Sequence, residues 1–221
     1  MTPRWVVISK VALWGACLAP LTVLVLRAAE VGPLSLGANP VEEILNVCGK
    51  TGLNLLILTL CITPIRRSTG INRLVAFRRL SGLFAFFYLS LHFLTYALLD
   101  LGLAWETVFE DITERPYITV GFTALVLLVP LAVTSTSGLQ RRLGRNWTKL
   151  HRLVYLIAVL AVVHYWWQTK LDVAEPLLYA FLLAVLLGVR VHHAWLQNHR
   201  RRRSVDSKPP VASAYPRVEP P

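Results

Sequence analysis

Five of the six histidines in this chain lie in or at the edge of long apolar runs, and three of them stand apart from the basic tail. His92 sits within "LFAFFYLSLHFLTYALL", and His151 and His164 bracket the uncharged core of "WTKLHRLVYLIAVLAVVHYWW". An imidazole in a hydrocarbon environment is costly unless it faces a partner inside the protein. A single one needs only a hydrogen bond to a neighbouring helix. Two imidazoles facing each other at one depth can hold a haem iron from both sides, and the interior of a helix bundle is where such sites are built.

Depth can be read from the spans that carry them. A helix crosses the hydrocarbon with about 20 apolar residues. Six segments meet or approach that length: Val6–Leu26, Ile44–Thr63, Leu80–Leu99, Tyr117–Thr134, Leu150–Gln168 and Leu177–Leu196. Counting from Arg79, His92 is 13 residues up the third span, about 20 Å at 1.5 Å per residue. Counting from Lys149, His164 is 15 residues up the fifth, about 22 Å. Both histidines therefore reach a similar depth and form a candidate pair of haem ligands. His151 lies 13 residues below His164, at the opposite membrane edge. On a straight helix the two side chains would point well over a right angle apart, so alignment needs curvature.

What stands opposite His151 is less evident. The corresponding level of the third span carries Arg78 and Arg79, and neither coordinates iron. The position fits a haem with one protein ligand, a flavin contact or a hydrogen-bonding role. His192 and His193 on the sixth span reach about the same level, but they abut the basic tail and read as an interfacial cluster with Arg190 and Arg200.

The connecting loops fix an orientation. "TPIRRSTGINRLVAFRR" holds five arginines and no acid, and "GLQRRLGRNWTK" holds three arginines and a lysine. The loops "RAAEVGPLSLGANPVEE" and "DLGLAWETVFEDITERP" are acidic, and the two kinds alternate as six spans require. The positive-inside rule then puts both termini and the arginine-rich loops in the cytoplasm. Trp147, Trp166 and Trp167 fall at the ends of the fifth span, where interfacial tryptophans belong. The basic rim explains orientation by itself. Its sharper reading is that Arg78, Arg79 or Lys149 pairs with haem propionates or a flavin phosphate.

Composition agrees with a bilayer protein and excludes other classes. Hydrophobic residues make up 55% of the 221, above the roughly 45–50% of soluble domains. The net charge of +11 resides in loops and tail, without the patch of interleaved aromatics that marks a nucleic-acid surface. Cys17, Cys48 and Cys61 are too widely spaced for a redox or metal motif; Cys17 and Cys61, inside apolar runs, read as small hydrophobes, while Cys48, near a helix end, carries no signal. No phosphate-binding glycine motif occurs, so nicotinamide or ATP chemistry resides elsewhere. The first apolar run lacks a signal-peptidase pattern and reads as a retained helix. Residues 1–203 form the expected six-helix domain, and the Pro- and Ser-rich segment 204–221 an expected disordered cytoplasmic tail.

The strings "GANPVEEILNVCGKTGLNLLILTLCITPIRR", "RRLSGLFAFFYLSLHFLTYALLDLG" and "TSTSGLQRRLGRNWTKLHRLVYLIAVLAVVHYWW" resemble the MsrQ (YedZ) family. These are haem-binding membrane subunits of bacterial protein-methionine-sulfoxide reductase systems, similar in turn to the ferric-reductase-like membrane domain of NADPH oxidases. The likeness runs from the first span to the sixth. It implies an all-α, six-helix integral membrane protein of the inner membrane that carries haem b, with FMN as a second cofactor. It also implies a cytoplasmic NAD(P)H-dependent flavin reductase as donor and a periplasmic molybdopterin subunit, MsrP-like, as acceptor. Carried over onto this chain, the haem ligands fall on His92, His164 and His151. The oxidase pattern has a further histidine on the third span where this chain has Arg78.

Two other readings compete. A stand-alone ferric or oxygen reductase needs an attached flavin and nicotinamide domain, for which the chain has no room. A histidine-lined proton or metal transporter calls for intramembrane acids, whereas Asp and Glu here lie outside the spans or at their edges.

Overall fold

A computed structural model describes residues 4–169 and 173–206. Six helical segments in it are long and apolar enough to cross a membrane: Ile8–Ala28, Pro40–Thr69, Asn72–Asp100, Pro116–Val133, Arg145–Gln168 and Ala174–Gln197. They correspond one to one with the six expected spans. The helices are α1 (Arg4–Ala28), α2 (Pro40–Thr69), α3 (Val75–Thr95), α4 (Trp105–Glu114), α5 (Pro116–Val133), α6 (Ser137–Leu143), α7 (Arg145–His151), α8 (Leu153–Gln168) and α9 (Ala174–Asp206). Among the described residues there is no strand.

Local chemistry sets the ends. Asn39 caps α2 by accepting the Glu42 N–H at 3.3 Å, with Pro40 in the first turn, where its missing N–H costs nothing. Gly70 ends the helix in the left-handed region (φ 71°), its N–H reaching the Arg66 carbonyl at 2.9 Å. A π-helical turn, Tyr96–Asp100, finishes the third span before α4. The short α4 turns Val108 and Asp111 inward and Trp105 and Phe109 outward.

Four helices make the bundle core. α2 packs extensively on α3 and α5 on α8, while α3 meets α5 and α8 meets α2. The circuit is therefore α2, α3, α5, α8, with α3 diagonal to α8. Gly52 permits the close α2–α3 approach, because a Cβ there would stand 2.7 Å from the Leu89 side chain. Leu56, Leu60, Tyr88 and Ile157 are fully buried at the centre. The outer helices leave apolar side chains such as Phe181 and Val191 uncovered, as a lipid-facing surface requires.

Tyr88 fastens α1 to this core. Its hydroxyl donates to the Cys17 carbonyl at 2.6 Å and accepts the Leu21 N–H at 3.2 Å. Both groups flank Pro20, which sits inside α1 and interrupts the helical ladder. The tyrosine thus ties α3 to α1 through two backbone groups on either side of that proline.

Two expectations are corrected. The stretch from Trp147 to Trp167 is not one unbroken helix, because α7 ends at His151 and α8 begins at Leu153. The His151 ring donates from Nδ1 to the Trp147 carbonyl at 3.1 Å, and tighter three-residue hydrogen bonds follow from Arg152 to Lys149 and from Tyr155 to Arg152. A side chain competing for the i−4 carbonyl is an established cause of such a break. The sixth span ends at Gln197, against the expected Leu196, but its helix continues past the span to Asp206. The first three residues of the expected tail belong to it, and residues 207–221 lie outside the described residues.

Candidate functional site

His92 and His164 come together across the diagonal of the bundle. Their ring centroids are 6.3 Å apart and their planes lie at 78°. Each ring is oriented the same way. His92 Nδ1 donates to the Leu45 carbonyl at 2.9 Å, and His164 Nδ1 to the Tyr117 carbonyl at 2.7 Å. With Nδ1 carrying the proton, Nε2 of each ring keeps a lone pair, the form a metal-ligating imidazole needs.

A glycine underlies each histidine. A Cβ on Gly49 would stand 3.0 Å from His92 Nδ1, and one on Gly121 would stand 2.7 Å from His164 Nδ1. The two hairpins repeat this arrangement in register. The accepting carbonyl precedes its histidine by 47 residues in both, and the glycine lies four residues after that carbonyl in both. The same offset of the chain also pairs Thr51 with Thr123, Leu53 with Leu125, Leu55 with Leu127 and Leu56 with Leu128. The equal glycine-to-histidine spacing was the available signal.

Both histidines face a cavity of about 810 Å³, bounded by Leu53, Leu89, Phe122, Leu125, Ile157 and Ala161 on its apolar walls. Polar side chains gather at its mouth in two sets. Lys50 pairs with Glu175 at 2.5 Å, and Glu175 accepts from the Tyr165 hydroxyl at 2.5 Å. Arg115 Nε pairs with Asp111 at 3.0 Å, and Asp111 accepts from the Tyr96 hydroxyl at 2.6 Å.

A haem fits this arrangement. Metal–nitrogen bonds of about 2.0–2.1 Å on both faces, with each Nε2 roughly 1.1 Å from its ring centre, put axially opposed imidazole centroids a little over 6 Å apart. The observed pair has that separation. The cavity volume is in the range of small-molecule and cofactor sites, about 300–1,000 Å³. Among the described residues, no three His, Cys, Asp or Glu side chains converge on a point, so the donor set is an opposed imidazole pair and not a chelating cluster.

The other candidates lie elsewhere. His151 is absent from the cavity wall; its ring stacks on Trp147 with centroids 3.9 Å apart. Trp147 donates its indole N–H to the Thr134 carbonyl at 3.0 Å, which ties α7 to the end of α5. Arg78, Arg79 and Lys149 do not reach the cavity either; among the described residues, the cations at its mouth are Lys50 and Arg115. His192 and His193 are neighbours with centroids 6.5 Å apart, and His192 stacks near Trp195. Arg190 does not join them. It turns into the bundle, where Nη2 donates to the Leu60 carbonyl at 2.5 Å and the guanidinium covers the Tyr155 ring at 5.1 Å.

Comparison with known proteins agrees with the geometry. The family model for the ferric reductase like transmembrane component matches residues 48–162, the region from Cys48 to Val162 that holds His92 and both glycines. The protein-methionine-sulfoxide reductase heme-binding subunit MsrQ of Xanthomonas campestris pv. campestris (strain 8004) is 50% identical over 212 residues, covering 94% of this chain and 96% of its own. Its counterpart in Xanthomonas oryzae pv. oryzae (strain MAFF 311018) is 48% identical over 216 residues, covering 96% and 98%. That of Ralstonia nicotianae is 47% identical over 199 residues, covering 88% and 90%. With six apolar spans, the chain is a multi-pass protein of the inner membrane, and it belongs to the MsrQ family of ferric-reductase-like membrane subunits.

Proposed function

We propose that this protein is a transmembrane b-type cytochrome, with haem held between His92 and His164. The observation that carries this reading is the opposed imidazole pair, 6.3 Å between centroids, with each Nδ1 committed to a backbone carbonyl. The relatives' names, heme-binding subunits of protein-methionine-sulfoxide reductase, support it. Bound there, haem supplies reversible one-electron transfer.

The chain's own contribution is to hold and shield. The Leu45 and Tyr117 carbonyls fix the tautomer and rotation of each ring and raise its basicity. Gly49 and Gly121 clear the space that lets the rings lie back against α2 and α5. The apolar walls keep water away and so govern the potential of the bound iron. Electrons enter from the arginine-rich, cytoplasmic side, where His151 stands, and leave toward the histidine-pair side, which faces the periplasm. The donor is a cytoplasmic flavin reductase using NAD(P)H, with FMN as a second cofactor on that side. The acceptor is an MsrP-like molybdopterin subunit that reduces methionine sulfoxide in envelope proteins.

The deciding measurement is the reduced-minus-oxidised optical spectrum of the purified protein with haem counted per chain. Sharp b-type bands that vanish in both His92→Ala and His164→Ala are the expected result. Full haem content in either variant removes the pair as the site.

A further inference from the structure

The cavity mouth is built asymmetrically in charge, and that asymmetry selects the edge of the ligand. Among the described residues, Lys50 and Arg115 are the cations on the cavity wall, and they stand on opposite sides of it, one on α2 and one at the start of α5. The histidine axis runs along the other diagonal, from α3 to α8. A flat macrocycle perpendicular to that axis lies between α2 and α5, and because protoporphyrin carries both propionates on one edge, they come between the two cations only when that edge faces the mouth. Three carboxylates, Glu42, Asp100 and Glu175, also reach the wall and repel an anion wherever a cation is not beside it.

Building on the haem reading above, we infer that Lys50 and Arg115 bind the two propionates of the porphyrin and thereby fix which edge faces the mouth. Both cations are free to do this without abandoning their partners. Glu175 and Asp111 each have a tyrosine donor besides the cation, Tyr165 at 2.5 Å and Tyr96 at 2.6 Å. When a cation leans to a propionate, its acid keeps that hydrogen bond and is not left bare. Lys50 lines the same cavity as His92, and its ammonium reaches the Glu175 carboxylate. Two charge-assisted contacts at the open edge complement two axial bonds at the centre.

The test compares iron protoporphyrin IX with its dimethyl ester, which keeps the ring and iron but has no propionate charge. Full-length protein from haem-depleted cells, in detergent, is titrated with each and followed by its bis-imidazole absorption bands. Lys50→Met and Arg115→Leu are each expected to weaken binding of the free-acid porphyrin about tenfold to a hundredfold and to leave the ester unchanged. Lys50→Arg and Arg115→Lys are expected to retain most of the affinity. Equal weakening of both porphyrins, or no weakening of either, overturns the assignment, because the cations then act only on the fold or not at all. A wild-type chain that takes up neither porphyrin overturns the haem reading and this one together. Wild type that binds both equally overturns this one alone.

Discussion

Gly121 lies directly under His164: a methyl group there would be 2.7 Å from Nδ1, 2.8 Å from Cε1 and 2.9 Å from Cγ. The imidazole cannot retreat without breaking its 2.7 Å bond to the Tyr117 carbonyl. The Gly49–His92 contact is looser, at 3.0 and 3.2 Å. Gly121→Ala is therefore expected to displace His164, at about 1–3 kcal/mol of overpacking, and to lower haem content well below that of Gly49→Ala. Haem per chain in the two purified variants, with membrane yield as a folding control, measures the difference. Equal haem content in both refutes the ranking.

The 78° angle between the ring planes has its own spectroscopic consequence. Ferric haem with near-perpendicular axial imidazoles gives a highly anisotropic low-spin electron paramagnetic resonance signal, while parallel planes give a rhombic three-line spectrum. The planes are set here by the two backbone carbonyls, one on each hairpin, so the anisotropic form is expected. A rhombic spectrum from the purified protein means that the rings rotate when the iron is bound.

The six spans and the meeting of His92 and His164 were legible in the sequence, because hydropathy and depth along a helix are properties of single segments. Counting residues from the arginine-rich edge places both imidazoles at one level with no knowledge of packing. The accepting carbonyls were not legible, since a backbone carbonyl has no sequence signature, and Gly49 and Gly121 stand out from other membrane-helix glycines only by their equal spacing to the histidines. Nor were the cations at the mouth legible. Lys50 reads as an isolated charge in an apolar run, and Arg115 as part of an acidic loop. Their placement depends on how α2 and α5 sit around the bundle. The break after His151 escaped for a related reason: the segment contains no Gly or Pro, and its cause is a side chain bonding back to the Trp147 carbonyl.

Tyr88 offers a test of the scaffold apart from the site. Its hydroxyl serves two backbone groups of α1 on either side of Pro20, and the side chain is fully buried. Tyr88→Phe removes both of these bonds, each worth about 0.5–1.5 kcal/mol. Thermal unfolding in detergent, followed by dye labelling of the buried Cys17 and Cys48 thiols, should show a lower midpoint. The optical spectrum of the remaining folded protein should be unchanged. An unchanged midpoint implies that α1 repacks to satisfy those groups.

His151 separates the two ends of the molecule. It is held on Trp147 at 3.9 Å between ring centres and by its 3.1 Å bond to the same residue's carbonyl, and it takes no part in the cavity around His92 and His164. His151→Ala is therefore expected to keep the spectrum of the histidine-pair haem while slowing its reduction by a flavin reductase from the arginine-rich side. The measurement is stopped-flow reduction of wild type and variant by the same reduced flavin donor, with dithionite reduction as the control that bypasses entry. Slower flavin-driven reduction with unchanged dithionite reduction places His151 on the entry route. Loss of the haem bands in His151→Ala ties the residue to the integrity of α8, and equal flavin-driven rates remove it from the route.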